Sequence, residues 1–181
     1  MKVIGCILAM VMLCSTAVAE VQSYSCLSVT KETVGDPTLQ RMKAHILVPD
    51  SYLLSQKDLI DTAKAAAVEL IDQSQSDVVI VKIYPTEAYA QYFPQLLDLT
   101  YAPHQIGWNG KPSATWVAFI ADDMPDEKEM FKISTWILEQ TKNQKALMER
   151  KKAIAEKLDV PIDDVYFPIF SLIPCVMQKE M

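Results

Sequence analysis

Asp77-Val-Val-Ile-Val-Lys-Ile-Tyr84 is an apolar run too short for a helix and bordered by turn-forming residues on both sides. Such a run, rich in β-branched side chains, reads as a strand buried inside a sheet. Upstream of it, Leu59, Ala63, Ala66, Ala67, Leu70 and Ile71 recur at helical spacing, which predicts an amphipathic helix over 56–73. Ser55-Gln-Lys-Asp58 sets a hydroxyl and a carboxylate three residues apart just ahead of that pattern, the form of a capping box. Earlier still, Arg41 to Val48 alternates: Met42, Ala44, Ile46 and Val48 point one way, and Arg41, Lys43 and His45 the other. One side of that strand is therefore expected to be buried and the other wet. Strand, helix and strand in succession make a right-handed βαβ crossover with the two strands parallel.

Outward from this unit the signals are plainer on some stretches than on others. Ser23 to Val34 is rich in Val, Thr, Ser and Tyr and ends at Gly35-Asp-Pro37, a strand closed by a turn. After Pro85, a short helix from Glu87 to Phe93 leads into an irregular aromatic stretch, with a hairpin-type turn signal at Asn109-Gly110. Ala114 to Ala121 reads as the next strand. Pro125-Asp-Glu then opens a long helical stretch, about 126–158, acidic at its start and basic at Arg150-Lys-Lys152, as the helix dipole favours. Its polar middle, Glu139 to Glu149, is expected to project from the body. Val160-Pro161 ends the helical stretch, Asp163-Asp164 can start one further helical turn, and Pro168 and Pro174 keep the remaining apolar tail, 167–181, extended; such a tail is expected to dock on the sheet. The expected class is α+β: a small mixed sheet of about four strands in β-β-α-β-loop-β-α order, helices on one face, and a long C-terminal helical stretch.

The first 19 residues have another purpose. Lys2 is a positive start, Val3 to Leu13 an apolar centre, and Ala17-Val-Ala19 the small-x-small pattern that signal peptidase needs, so cleavage is expected between Ala19 and Glu20. The apolar centre reaches about half the ~20 residues of a spanning helix. The expected product is periplasmic or secreted, touching the membrane only through its transient signal. Removing 19 residues from 181 leaves 162, one domain with a real core. Without Lys2 the chain carries 16 basic and 23 acidic residues, a balance that argues against nucleic acid as a partner. Cys6 and Cys14 leave with the signal, so the mature chain keeps Cys26 and Cys175. In an oxidising compartment the pair invites a disulfide closing a loop of about 150 residues, for roughly 4–5 kcal/mol in the chain-entropy model. Two buried free thiols are the alternative.

Arg41…Ile46-x-Val48-Pro49, the Leu59…Ala63…Ala67 spacing, Val79-x-Val81-x-x-Tyr84, Tyr101-Ala-Pro103…Gly107-Trp108 and Ile154-Ala-x-x-Leu158-x-Val160…Val165 together carry a resemblance. Over roughly 41–166 the chain resembles an uncharacterised family of small exported bacterial proteins with a strand–helix–strand unit, a Y-x-P-x-G-x-W-like segment and a long polar helix. It departs from the pattern in the three residues between Pro103 and Gly107, and in the apolar tail after Pro168. The resemblance implies export and brings no catalytic residue with it.

The side chains offer little chemistry. No G-x-S-x-G turn exists for a nucleophile, and no His or Cys pair has ligand spacing. Asp122, Asp123 and Asp126 lack the central glycine and closing glutamate of a calcium loop, and helix capping accounts for them. No catalytic residue, cofactor or metal is expected. Of the two histidines, His45 reads as a solvated strand residue and His104, in the aromatic loop, as the better binding candidate. Tyr84, Tyr89, Tyr92, Tyr101, His104 and Trp108 are the candidate binding surface, since rigid rings supply contact area and their OH or NH groups supply orientation. The rival explanation is that the rings merely pin a long loop. The functional expectation is a non-enzymatic interaction module that binds an envelope protein, through this loop or through a projecting helix with exposed Leu147 and Met148. A small-ligand-binding protein using loop 84–108 is the alternative, and a hydrolase with an unrecognised site the weaker one.

Overall fold

A computed structural model describes residues 21–33, 37–142, 147–165 and 172–175. The expected signal segment with its Ala19/Glu20 junction lies outside the described residues, as does the apolar tail apart from Leu172–Cys175. The elements in order are β1 (Ser25–Glu32), β2 (Arg41–Leu47), α1 (Gln56–Ser74), β3 (Val78–Tyr84), α2 (Glu87–Tyr92), β4 (Leu97–Tyr101), β5 (Trp116–Ala121), α3 (Glu127–Lys142), α4 (Leu147–Leu158) and β6 (Leu172–Cys175). Single 3-10 turns stand at Ser51–Leu53 and Ile162–Asp164.

The six strands lie side by side in the order of the sequence, β1 to β6. Only β2 and β3 are parallel; every other pair is antiparallel. The crossover between the parallel strands is α1, whose capping box forms as expected: Ser55 Oγ accepts from the Asp58 amide at 3.1 Å and donates to the Asp58 carboxylate at 2.6 Å. The class is thus α+β, with six strands rather than four. Two strands escaped the reading of the sequence for identifiable reasons. β4 is a five-residue alternation directly after Pro94. β6 contains Pro174, which a sheet tolerates because β6 is an edge strand and Pro174 need not donate outward.

Alternation along the strands divides the core in two. Ala44, Ile46, Val79, Val81, Ile83, Leu97, Leu99, Ala118 and Ile120 face one way and close on Leu59, Ala63, Ala66 and Ala67 of α1. The small alanine face lets the helix sit close to the sheet. Leu47, Tyr84 and Ala121, one step out of phase with that set, meet Tyr89 of α2 and Met130, Ile133 and Ile137 of α3. Helices therefore occupy both faces rather than one. α1 runs across its side, while α2 and α3 cover only the end of the other side near Tyr84.

The single long helix expected over 126–158 is two helices lying against one another. The Lys157 ammonium meets the Glu139 carboxylate, although eighteen residues of continuous helix would hold them about 27 Å apart. Trp136 of α3 packs among Ile154, Ala155 and Leu158 of α4. Residues 143–146, between the helices, and the side chains of Leu147 and Met148 lie outside the described set.

The expected Cys26–Cys175 bridge does not fit this sheet. Cys26 is on β1 and Cys175 on β6, the two opposite edges. At about 4.8 Å per strand their backbones are separated by roughly 24 Å, whereas a disulfide requires Cα atoms within about 7 Å. Cys26 is an exposed free thiol. Pairing of Leu172–Cys175 with β5, the described part of the tail that the sequence suggested would dock on the sheet, is what carries Cys175 to the far edge.

Candidate functional site

Register places two rows of side chains across the face opposite α1. One runs Ser28, His45, Lys82, Asp98, Phe119 and Pro174, one residue from each strand. The next runs Thr30, Lys43, Ile80, Thr100 and Val117. These side chains are half-exposed or exposed, and their apolar members, Ile80, Val117 and Phe119, belong to none of the buried clusters of the described residues. No described helix covers the two rows. Sheets dominated by antiparallel pairs can keep one face in water, and this one does so over part of its breadth.

The charges on the face are paired. Lys82 Nζ lies 3.2 Å from Asp98 Oδ2, across β3 and β4, and Lys43 is joined to Glu32 across β1 and β2. His45 stands in their midst, stacked on the Tyr84 ring with centroids 5.5 Å apart and planes within 10°. Burial, then the neighbouring Lys82 and Lys43 charges, pushes the His45 imidazole below its ordinary pKa, with Asp98 pulling less strongly upward. It is held as a neutral ring capable of both donating and accepting a hydrogen bond.

One border of the platform is the hairpin 105–113. Gly107 donates to Lys111 O at 2.8 Å and Gly110 to Gly107 O at 2.9 Å, with Gly110 in the left-handed region at φ 76°. Gly107 is also a point of close approach, since a Cβ there would lie 2.9 Å from Ser113 Cβ. The Trp108 ring packs beside Leu39, Val78 and Ala102, and Lys43 Nζ sits 5.5 Å from its centroid. At the opposite border, Tyr84 passes under α2 and α3.

The six residues of the expected aromatic surface do not converge. Tyr84 and Trp108 lie on the half-open face, at its two ends. Tyr101 is on the α1 side, stacked on Trp116 with centroids 3.9 Å apart. Tyr89 is fully buried between α2 and α3, its hydroxyl without a hydrogen-bond partner and its pKa driven up by burial. Tyr92 is exposed on α2, its ring edge-on to Trp136, and His104 is exposed at the base of the hairpin. Lys43, Lys82, Asp98 and Phe119 form the face instead and were missed. The available signal was Lys82, a charge interrupting an otherwise apolar strand. It marks the side on which β3 is not covered.

A family model described as a domain of unknown function, DUF4875, matches residues 19–171. No curated protein matches the chain. Among solved structures the chain is similar to the crystal structure of a DUF487 family protein from Desulfovibrio piger, with 22% identity and a TM-score of 0.66 over 88% of this chain and 97% of that one. At that identity the likeness shows a shared fold alone.

Proposed function

We propose that this chain, which belongs to the DUF4875 family, is an exported, non-enzymatic binding module that recognises a polypeptide partner on the half-open sheet face. The observation that carries this reading is the pair of side-chain rows crossing the sheet with no helix of the described residues over them. Their composition suits a protein interface: rings at the borders, partly exposed Ile80 and Val117 and exposed Phe119 between, and charges already neutralised by neighbours, so that covering them strands no lone charge. Export is supported by the signal pattern ending at Ala19.

Photo-crosslinking inside the producing cell tests the reading. A photoreactive residue at Phe119 or Val117 is expected to trap one discrete partner, and the same group at Gln73, on the exposed side of α1, to trap none of it. Capture of the same species from all three positions would sink the proposal. Phe119→Lys in a folded protein is expected to abolish the Val117 crosslink.

A further inference from the structure

The chain leaves the carboxyl ends of β2 and β3 in opposite directions. From β2 it passes through Pro49–Leu53 into α1 on one face, and from β3 through Pro85-Thr86 into α2 on the other. Neighbouring parallel strands whose connections part in this way leave a crevice beyond their ends, the general position of ligands in open sheets with parallel strands. Here the crevice has a volume of about 370 Å³ and is walled by Asp50 and Tyr52 after β2, Thr86 after β3, and Glu127, Met130 and Phe131 of α3. That volume is within the range of small-molecule sites. It continues past Tyr52 and Glu127 into a shallower hollow that includes Leu53 and Lys128.

We propose that this crevice binds an organic cation: a protonated amine carried on an apolar stem. This inference is independent of the polypeptide partner assigned to the sheet face. Two carboxylates, Asp50 and Glu127, line the crevice, and among the described residues no basic side chain does, Lys128 standing in the extension beside Asp126. Their negative charge reaches the Tyr52 hydroxyl, whose pKa is raised by desolvation, then by Asp50 and Glu127. The Tyr52 and Phe131 rings add the aromatic faces that attract ammonium groups. A metal ion is a poor match, since among the described residues no three His, Cys, Asp or Glu side chains are placed to hold one. The apolar requirement has a separate origin. Phe131 at 61% and Leu53 at 55% are the two most exposed large apolar side chains among the described residues; Phe131 borders this crevice and Leu53 its extension.

The amine has two possible sources, a free small molecule or a lysine side chain of a peptide. Titration of the ¹⁵N-labelled protein with butylammonium and with acetyl-Leu-Lys-Leu-amide separates them, with butan-1-ol as the uncharged counterpart. Both cations are expected to give saturable amide shifts confined to residues 50–53, 86 and 127–134, and butan-1-ol none. Asp50→Asn and Glu127→Gln are each expected to weaken binding about three-fold. Asn shares aspartate's tolerance of the left-handed backbone at position 50, where φ is 54°, so that variant keeps the fold. Tighter binding of the peptide by about ten-fold or more identifies a lysine side chain as the ligand, and equal or weaker binding a free amine. No saturable shift with either cation, equal shifts with butan-1-ol, or unaltered affinity in both variants would overturn the proposal.

Discussion

The guanidinium of Arg41, withdrawn from solvent altogether, donates from Nε to the backbone carbonyl of Trp108 at 2.6 Å. It also donates from Nη1 to Leu39 O at 3.2 Å. A charge at the start of β2 thereby becomes the pin for a hairpin sixty-seven residues downstream, and the hairpin brings its tryptophan over the sheet. Charged donors to carbonyls contribute more than neutral ones, and stranding such acceptors is costly. Arg41→Ala is expected to destabilise the fold by roughly 2–4 kcal/mol. Amide hydrogen exchange should accelerate at Gly107 and Gly110 beyond the change in α1. Equal acceleration in both places would mean that Arg41 supports the whole core rather than the hairpin.

Gly107→Ala tests the same hairpin from its other side. The added methyl would meet Ser113 Cβ at 2.9 Å, and the expected loss is about 1–3 kcal/mol. The double variant Gly107→Ala/Ser113→Gly removes the opposing carbon and is expected to recover most of it. Denaturant midpoints of the two variants decide the matter.

His45 makes part of the stability depend on pH. Its folded pKa is lowered from 6.5 by burial, then by Lys82 and Lys43, so the unfolded chain binds more protons in that range than the folded one. Stability from this group is complete above 6.5 and is lost as pH falls from there toward the folded value. The His45→Gln variant is expected to lose less stability than the parent on acidification through that window. The ring protons of His45 should titrate with a midpoint below 6.5; a midpoint above it would contradict the packing described.

With Cys26 exposed on one edge of the sheet and Cys175 in the strand at the other, no bridge is expected within one chain. Native protein should react with a thiol reagent at Cys26 without denaturant, and its intact mass should lack the two-hydrogen deficit of a disulfide. A Cys26–Cys175 peptide recovered from a monomer would contradict the strand order.

The βαβ unit was legible because its three signals are local: a capping box, a helical repeat of small apolar residues, and an unbroken β-branched strand. The alternation of β2 likewise separated Ala44 and Ile46 from Lys43 and His45. Arg41 broke that pattern, being on the wet side by alternation yet fully buried, because the residue covering it comes from a hairpin far along the chain. The division into α3 and α4 was hidden by a polar stretch with neither Gly nor Pro to mark it. Tyr84 and Tyr101 looked alike as neighbours in an aromatic segment, but strand phase sends them to opposite faces. Phase could be assigned to Tyr101 only once β4 was recognised as a strand.

The order of the sheet also bears on how the chain reaches this structure. Every strand after the first pairs with the one made just before it, and the single parallel step is bridged by its own helix. A polypeptide emerging amino end first, as an exported chain does on the far side of its membrane, can extend its sheet one strand at a time. Each arriving strand closes only the segment that separates it from its predecessor, short from β1 to β2 and from β3 to β5 and longest, fifty residues, from β5 to β6, and closing a shorter loop costs less entropy. The two rows of the half-open face are then completed last, when β5 arrives beside Asp98 and Thr100 and β6 beside Phe119.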